Sequence, residues 1–325
     1  SNLLKEESIM RRTLLGLLLG FVALGFVSAE GQQESTGGPW TPSKTVTWFC
    51  TSSPGGGSSI FTQTIIEIIK NENLVDQDII INYKTDGGGA VGRREVSRAK
   101  NNGHTLLTFN NGDLQPLVQL EGGDLDDITP IAVMANDGQI MLVHKDYKYQ
   151  TGEEIIEALN NGERIIIGGS KGDDINLYNK FKEEVGGDTE YLVNDSTSEA
   201  LTQALGRDID IVIAKPAASY ELVASGELVP VLAATKDRFD KPFDAPTLTE
   251  LGFDIELTVF RGVAGPKNMP QEAVEFWSEV LGKVAATSAW RDDYLNKFLL
   301  TGRYIPAKEA VGYMQEFEDK YKAAK

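Results

Sequence analysis

The sequence predicts an α/β fold with two doubly wound sheets, because short β-rich runs alternate along the chain with amphipathic helical runs. The runs TVTWFC, III and TLLTF (residues 45–50, 79–81 and 105–109) are predicted strands, separated by runs with apolar residues three or four positions apart. This β-α-β-α-β order implies a parallel sheet with helices on its faces. A second alternation begins at residue 164, and 325 residues are enough for two such lobes.

The remaining elements repeat the pattern of strand, small-residue loop and helix. Two strand-like runs surround Asp137 and Gly138 within residues 131–143. Strands are predicted at residues 164–167, 190–193, 210–213, 229–233 and 256–260, and helices at residues 153–159, 175–184, 198–205 and 217–224 and from Gln271 and Lys308 onward. Ser58 or Ser59 is predicted to cap the first helix, whose apolar positions are Phe61, Ile65, Ile68 and Ile69.

The chain is strongly acidic, with 48 Asp and Glu against 31 Lys and Arg and a formal net charge of -17. Such a chain is repelled by nucleic acid and by anionic lipid surfaces, so both are excluded as partners. One cysteine, Cys50, and two histidines, His104 and His144, supply few ligands for a metal site. We therefore expect no metal site and no Ser–His–Asp triad, although the scarcity of histidine does not exclude catalysis by carboxylates or lysine. Cys50 is interpreted as a small buried hydrophobe.

The N-terminal segment is typical of a secretory signal. The basic run MRR (residues 10–12) precedes an apolar stretch at residues 13–27, which is short for a membrane span of ~20 residues. A small-residue motif then predicts cleavage after Ala29. Residues 1–29 are accordingly interpreted as upstream residues and a signal peptide, and residues 30–43 as a flexible leader.

Glycine-rich loops follow the first two predicted strands, at residues 55–57 and 87–89. In open α/β sheets, ligands bind beyond the carboxyl ends of the strands, where such loops also begin helices. The first amides of a helix lack partners and lie at the positive end of its dipole. Glycine lets these amides approach a ligand closely, so the loops predict a backbone-amide site for an anion such as a carboxylate.

An enzymatic interpretation stays open on these residues. GGGAVG (residues 87–92) matches G-x-G-x-x-G, but the next strand ends in Asn110 and Asn111, not in the usual acidic residue, although Asp113 is close. The first glycine loop lacks the lysine of a P-loop, and no G-x-S-x-G surrounds Ser53 or Ser58. The alternatives are a secreted α/β enzyme that binds a phosphate-bearing substrate, and a ligand-sensing domain without a transport role.

Several motifs, in this order, resemble one family. PGGGSS (residues 54–59) resembles the PGGGSD loop of the tripartite tricarboxylate transporter substrate-binding proteins, also called the Bug family. Residues 79–109 are similar to its segment with GAGG and DGYTLL, and residues 199–235 to its stretch with PALTDLLGGQVDV and AGKLRALA. FDAPTLTELGFDIE and GVAGPKNMP (residues 243–256 and 262–270) resemble its PDVPTVAEAG and LAPAGTP motifs. The similarity extends from about residue 44 to the end of the chain.

This resemblance implies a two-lobed periplasmic binding protein, type II-like, in which a two-stranded hinge joins two sheets that close on an organic acid. Lobe 1 is expected at residues 44–144 and 256–325, and lobe 2 at residues 145–255, with crossings near residues 143–146 and 254–257. The family further implies a periplasmic protein that is not an enzyme, has no catalytic residues and binds its ligand without a cofactor. We expect a monomer, because transport requires free motion of the lobes. It would capture a small di- or tricarboxylate and deliver it to membrane transporter subunits.

The resemblance also implies the ligand-binding residues, which lie in loops after the strands. In the family, the two glycine loops hold one carboxylate largely through backbone amides, and the later loops contact the rest of the ligand. The implied residues here are Ser53, Gly55, Gly56, Gly57, Ser58, Thr85, Gly87, Gly88, Gly89, Asn110, Asn111, Ser170, Gly172, Asp173, Asp174, Ser196, Thr197 and Lys215.

The chain departs from the family pattern at the later loops. Lys215 stands where the family often has Asp or Asn, and a lysine would favour a second ligand carboxylate over an amino-acid ammonium group. Asp173 and Asp174 replace small residues, and are expected either to accept ligand hydroxyls or to cap a helix. The sequence leaves open whether Lys171, Lys215 and Arg261 face the cleft.

Overall fold

Two mixed sheets organise the part of the chain that the computed structural model describes, residues 39–100 and 102–324. The strands are β1 Val46–Cys50, β2 Ile79–Tyr83, β3 Thr105–Asn110, β4 Ile128–Asp137, β5 Ile140–His144, β6 Arg164–Ser170, β7 Asp188–Asn194, β8 Ile211–Ala214, β9 Leu228–Ala233, β10 Val259–Pro266 and β11 Thr301–Pro306. The helices are α1 Gly57–Asn71, α2 Ala90–Ser97, α3 Asn111–Gln119, α4 Gly152–Asn160, α5 Asp173–Glu184, α6 Thr197–Gly206, α7 Pro216–Ala224, α8 Gln271–Ala285 and α9 Ala307–Ala323. A 3-10 turn, Leu125–Asp127, and a π-helix, Ala289–Asn296, complete the order.

The first sheet has six strands in the order β11-β4-β10-β3-β1-β2. Strand β1 pairs in parallel with β2 and β3, as the βαβαβ pattern predicted, and β10 returns antiparallel between β3 and β4. The apolar stripe of α1 covers this sheet, and its members Phe61, Ile65, Ile68 and Ile69 are all buried. Burying each such side chain stabilises the lobe by about 1.5–3 kcal/mol, so packing holds α1 against the sheet.

The second sheet has five strands in the order β7-β6-β8-β5-β9. Strand β6 is parallel to β7 and β8, whereas β5 is antiparallel to both β8 and β9. The carboxyl ends of β6, β7 and β8 lead into α5, α6 and α7. These loops face those that follow β1 and β3 of the first sheet. The prediction of an α/β fold with two sheets is confirmed.

The chain crosses between the sheets earlier than the sequence indicated. Strand β4 ends at Asp137 in the first sheet, and β5 begins at Ile140 in the second, so residues 140–144 do not belong with the first lobe. Gly138 allows this crossing, since a Cβ atom there would lie 2.3 Å from the Cγ2 of Thr235. Where the chain crosses back to the first sheet, the Leu257 amide donates to the Ala234 carbonyl (2.8 Å), just after β9 of the second sheet. Strand β10 begins at Val259, so the strand predicted at residues 256–260 starts later than expected.

Two regular elements were absent from the sequence prediction. Helix α3 contains Pro116, which interrupts a helical pattern in sequence, but the Asn110 side chain caps it by accepting from the Gly112 amide (2.7 Å). Strand β11 pairs with β4 across an irregular register between Gly302 and Ile305, so it lacks a clean alternation of polar and apolar residues.

The end of the predicted leader packs on the first lobe. The Trp40 ring meets those of His104 and Phe276 edge-on, at 5.7 and 5.4 Å between centroids, and the Ser43 amide donates to His104 Nε2 (3.0 Å). Residues 40–43 are therefore held in place, contrary to the prediction of a flexible segment. The predicted signal peptide and the rest of the leader lie outside the described residues. Within the described ranges, none of the helices combines the length and apolar character that a membrane span requires.

Candidate functional site

A small polar cavity lies between the loops of the two sheets. Its volume is about 50 Å³. Its walls are formed by Thr51, Ser52, Gly57, Ser58, Asn110, Gly112, Asp113, Ser170, Lys171, Asp173, Asp195, Thr197, Lys215, Val259 and Arg261. By the same measure a single water needs ~10–15 Å³, so the cavity has room for a few small groups.

The start of α1 opens on this cavity. The helix begins at Gly57, and its N-cap residue is Gly56, which provides no side-chain cap. The prediction that Ser58 or Ser59 caps the helix is therefore wrong. Ser58 lies inside the first turn, where its hydroxyl accepts from Asn110 Nδ2 (2.9 Å). The first amides of α1 thus have neither an intrahelical acceptor nor a side-chain cap, and Gly57 and Ser58 line the cavity.

Arg261 lies against this helix start. A Cβ atom at Gly57 would be 2.5 Å from Arg261 Nη2, so glycine makes room for the guanidinium group. Arg261 donates from Nε and Nη2 to Asp137 Oδ2 at 2.7 and 2.5 Å, and both side chains are buried. Although burial lowers the pKa of Arg261, the Asp137 carboxylate outweighs this and raises that pKa. The cavity therefore has a permanent cation beside free helix amides, held by strands β10 and β4 of one lobe.

Lys215 is buried in a cluster of its own. Its ammonium group donates to Asp174 Oδ1 (2.5 Å) and is ion-paired at short range with Asp173. Burial lowers the pKa of Lys215, but the two carboxylates outweigh this and raise it. Lys215 lines the cavity, but its charge is paired with the two aspartates in this arrangement, so a contact between Lys215 and a ligand carboxylate stays a prediction.

The two aspartates at the start of α5 have separate roles. The N-cap position of α5 is Gly172, so neither Asp173 nor Asp174 is the N-cap residue, contrary to the capping interpretation. Asp174 Oδ2 accepts from the amide and the hydroxyl of Ser170 (2.9 and 2.6 Å), and Oδ1 accepts from Gln139 Nε2 (2.7 Å). Asp174 is thus a structural residue beneath the cavity, and Asp173 forms part of its wall.

Lys171 and several polar contacts join the two lobes. Lys171 Nζ donates to the Thr85 carbonyl across the cleft (3.2 Å) and lies 3.7 Å from the Asp195 carboxylate. Burial lowers the pKa of Lys171. Ser198 Oγ donates to the Pro54 carbonyl (3.2 Å). These contacts hold the loops of the two sheets together around the cavity.

The second glycine loop lies apart from the small cavity. Gly87 and Gly88 instead line a neighbouring groove of about 310 Å³, next to Arg93. Arg93 is fully engaged there, since it donates to the Gly88 carbonyl (3.0 Å), to Asp113 (3.0 Å) and to Glu121. The third glycine of this loop, Gly89, packs against Thr51 of the cavity wall, since a Cβ atom at Gly89 would lie 2.7 Å from the Thr51 Cβ.

The structure brings together only part of the predicted set. The predicted residues that line the cavity are Gly57, Ser58, Asn110, Ser170, Asp173, Thr197 and Lys215. The other predicted residues do not line it, namely Ser53, Gly55, Gly56, Thr85, Gly87, Gly88, Gly89, Asn111, Gly172, Asp174 and Ser196. Asn111, for example, is structural, because its side chain accepts from the Phe260 amide (2.7 Å) and donates to Tyr321 (2.8 Å).

Some lining residues were missed from the sequence. Gly112, Asp113 and Val259 line the cavity, although only Asp113 had been noticed, as a residue close to the end of β3. Its position two residues after Asn111 was the available signal. Arg261 and Lys171, which the sequence left undecided, both line the cavity. Cys50 is buried as predicted, and burial raises the pKa of its thiol to about 12, so it is not a nucleophile at neutral pH.

Comparisons with known proteins agree with this geometry. The model of the tripartite tricarboxylate transporter family receptor (TctC) matches residues 67–323. The UPF0065 protein of the tcbD–tcbE intergenic region of a Pseudomonas species is 22% identical over 288 residues, which cover 85% of this chain and 82% of that protein.

No metal-binding group of three or more His, Cys, Asp or Glu side chains occurs among the described residues.

Solved structures share the fold at low sequence identity. The periplasmic binding protein BugD has a TM-score of 0.81 and 16% identity, covering 87% of this chain and 97% of its own. MatC of Rhodopseudomonas palustris with bound malate has a TM-score of 0.76 and 16% identity, covering 87% and 99%. An R. palustris protein solved with adipate has a TM-score of 0.77 and 19% identity, covering 87% and 95%.

Two α/β lobes around a polar cavity give this molecule the fold of the periplasmic binding proteins. The chain belongs to the tripartite tricarboxylate transporter family receptor (TctC) family, also called the Bug family, whose members are solute-binding proteins and not enzymes.

Proposed function

We propose that this protein captures a small organic carboxylate in the cavity between its lobes and delivers it to a tripartite tricarboxylate-type transporter. The observation that carries the proposal is the uncapped start of α1, where Gly57 and Ser58 line the cavity beside the guanidinium of Arg261. Free helix amides and an arginine fork both complement a carboxylate. Binding requires no cofactor in this scheme.

The charges around the cavity favour one or two ligand carboxylates over three. Arg261 and Lys171 line the cavity as cations, but Lys215 is already neutralised by two aspartates. A tricarboxylate would add three negative charges to a cavity whose wall also contains Asp113, Asp173 and Asp195. The malate and adipate in the two R. palustris structures are dicarboxylates, which supports a ligand with fewer negative charges than a tricarboxylate.

The contacts across the cleft support capture by closure of the lobes. A cavity of about 50 Å³ that is closed by contacts such as Lys171 to Thr85 would release its ligand only when the lobes separate. The same separation would let a longer acid enter. We further propose that the protein acts as a monomer in the periplasm after cleavage behind Ala29, since lobe motion requires no partner chain.

Thermal unfolding of the mature chain, residues 30–325, tests this function. The protein, stripped of ligand by refolding, is heated with mono-, di- and tricarboxylates, amino acids and nucleotides. We expect a small mono- or dicarboxylate at about 100 times its Kd to stabilise the fold by about 2.7 kcal/mol. A rise in the unfolding temperature with nucleotides alone would favour the enzyme alternative. If none of the carboxylates raises the unfolding temperature, the proposal is contradicted.

A further inference from the structure

The groove beside the small cavity has mainly apolar walls. Its volume is about 310 Å³, and it lies between α2 and α3 of the first lobe and α5 of the second. Ala90, Pro116 and Leu120 form the wall of one lobe, and Ile175 belongs to the wall of the other. Leu120 is 83% exposed, more than any other large apolar side chain in the described ranges. The groove therefore has an apolar rim that the protein leaves uncovered.

The polar side chains of the groove are largely paired within the first lobe. Arg93 donates to Asp113 (3.0 Å) and is ion-paired with Glu121. Gln115 Nε2 donates to Gln119 Oε1 (3.1 Å). A second ligand carboxylate in this groove would therefore meet an arginine that two carboxylates already neutralise, whereas an apolar group would meet apolar walls.

Lys171 lies between the groove and the small cavity and lines both of them. Its Cδ atom lies 3.4 Å from the Cβ position of Gly88, on the groove. Its ammonium group lies 3.7 Å from Asp195, on the cavity wall. The side chain thus extends from one space to the other, so its position decides whether they are joined.

The contacts that hold Lys171 in this position are weak. Its ammonium group donates to the Thr85 carbonyl (3.2 Å), and the Asp195 side chain is 60% exposed, so that ion pair contributes little. Burial lowers the pKa of Lys171, which means that its charged form would be more stable in water. The flexible stem of a lysine allows the ammonium group to rotate away from Thr85.

The volumes indicate that a ligand needs both spaces. Small-molecule sites usually measure ~300–1,000 Å³. The cavity of about 50 Å³ is far smaller, but the groove of about 310 Å³ reaches this range. A carboxylate fits in the cavity, and the rest of the molecule has room only where Lys171 moves aside.

We propose that Lys171 is a gate between the cavity and the groove, and that the protein binds monocarboxylates whose apolar tail lies in the groove. The carboxylate is held at Gly57 and Arg261, and the tail passes Lys171 and packs on Leu120 and Ile175. This inference rests on the proposed function and narrows its ligand class to acids with an apolar chain.

Titration calorimetry with propionate, hexanoate and adipate tests the inference. Each CH₂ group that enters the groove should tighten binding about threefold, so we expect hexanoate to bind at least about tenfold more tightly than propionate. Adipate has the chain length of hexanoate but ends in a second carboxylate. We expect it to bind more weakly than hexanoate, because that charge would lie against apolar walls.

Variants of the groove wall locate the tail. In Leu120→Asp the preference for hexanoate over propionate should fall below about threefold, because the charge lies at the rim of the groove. Ile175→Ala, on the wall of the other lobe, should also reduce it. Val311→Asp is the matched control, since Val311 is 45% exposed on α9 and lies outside the groove, and it should leave the preference intact. Thermal unfolding checks that each variant folds.

The variant Lys171→Met tests the gate. Methionine has a similar length but no ammonium group, so no hydrogen bond to Thr85 has to be broken before a tail enters the groove. Loss of the positive charge acts on the carboxylates of propionate and hexanoate alike. We therefore expect the preference for hexanoate to rise above that of the wild type. An unchanged preference would show that Lys171 is not a gate.

The failures of the two proposals are distinguishable. Equal binding of propionate and hexanoate by the wild-type protein, or a preference that persists in Leu120→Asp and in Ile175→Ala, would overturn this inference alone. Failure of these three acids and of every carboxylate in the thermal panel to bind would overturn the proposed function and this inference with it.

Discussion

The substitution Gly172→Ala is expected to hold the lobes apart and to weaken ligand binding by about 10- to 100-fold, while the protein still folds. Gly172 precedes α5 in the second lobe and packs on Gly112 of the first. A Cβ atom at Gly172 would lie 2.5 Å from the Gly112 Cα and 2.8 Å from its carbonyl oxygen. Both are backbone atoms and cannot rotate away, so the closed arrangement must open. Titration calorimetry with the acid found in the thermal panel measures the effect.

Gly186→Ala is the matched control for this prediction. Gly186 follows the other end of α5 with φ +75, against +76 for Gly172, and nothing lies within 4 Å of its Cβ position. Alanine at a positive φ costs Gly186→Ala about 1 kcal/mol of folding free energy, and Gly172→Ala should lose more, because ψ -114 places Gly172 outside the left-handed region that alanine can enter. We therefore expect a loss of stability in both variants and a loss of affinity in Gly172→Ala alone. Equal affinities in the two variants would show that the contact between Gly172 and Gly112 is not part of the binding-competent state.

The second large effect is expected at Arg261. Replacing it by methionine leaves Asp137 charged, buried and without its cation, which should lower the free energy of unfolding by about 3–5 kcal/mol. It also removes the guanidinium beside Gly57, so the carboxylate affinity should fall below detection. Urea unfolding at neutral pH measures the first effect, and calorimetry the second.

An exposed ion pair just beyond the same strand provides the control. Lys267 follows β10, and its ammonium group lies 3.4 Å from Asp127, with both side chains more than a third exposed. Lys267→Met should lower stability by no more than about 1 kcal/mol, because exposed pairs contribute little. The double variant Arg261→Met with Asp137→Asn should recover much of the lost stability without restoring binding. If Arg261→Met unfolds at the same urea concentration as the wild type, the pair does not stabilise the lobe as described.

Local patterns were sufficient to predict most of the fold. The stripe formed by Phe61, Ile65 and Ile69 predicted α1, since an apolar spacing of three or four residues has one meaning on a surface helix. Helix α3 was not predicted because proline usually interrupts a helix, and the helix contains Pro116. The Asn110 cap that stabilises its start depends on side-chain geometry, which the sequence does not show. Strand β5 was predicted as a strand but assigned to the wrong lobe, because sequence does not show which sheet a strand joins.

The site was less predictable than the fold. Glycine loops predicted that backbone amides would meet a ligand, and the start of α1 at Gly57 agrees with that chemistry. The partners of the charged residues could not be predicted, because Arg261 and Asp137 are 124 positions apart and Lys215 and Asp174 are 41 apart. Without knowledge of those pairings, the sequence predicts that Lys215 is a free cation. The partners of a buried charge are set by the folded structure, so the pairing of Lys215 with Asp173 and Asp174 emerged only from the structure.

A crystal structure with the acid that most raises the unfolding temperature tests the central claim most directly. We predict that one ligand carboxylate lies within hydrogen-bond distance of the amides of Gly57 and Ser58 and of the Arg261 guanidinium, with the lobes in contact at Gly172. An acid bound outside this cavity, for example in the groove lined by Gly87 and Gly88, would contradict the account.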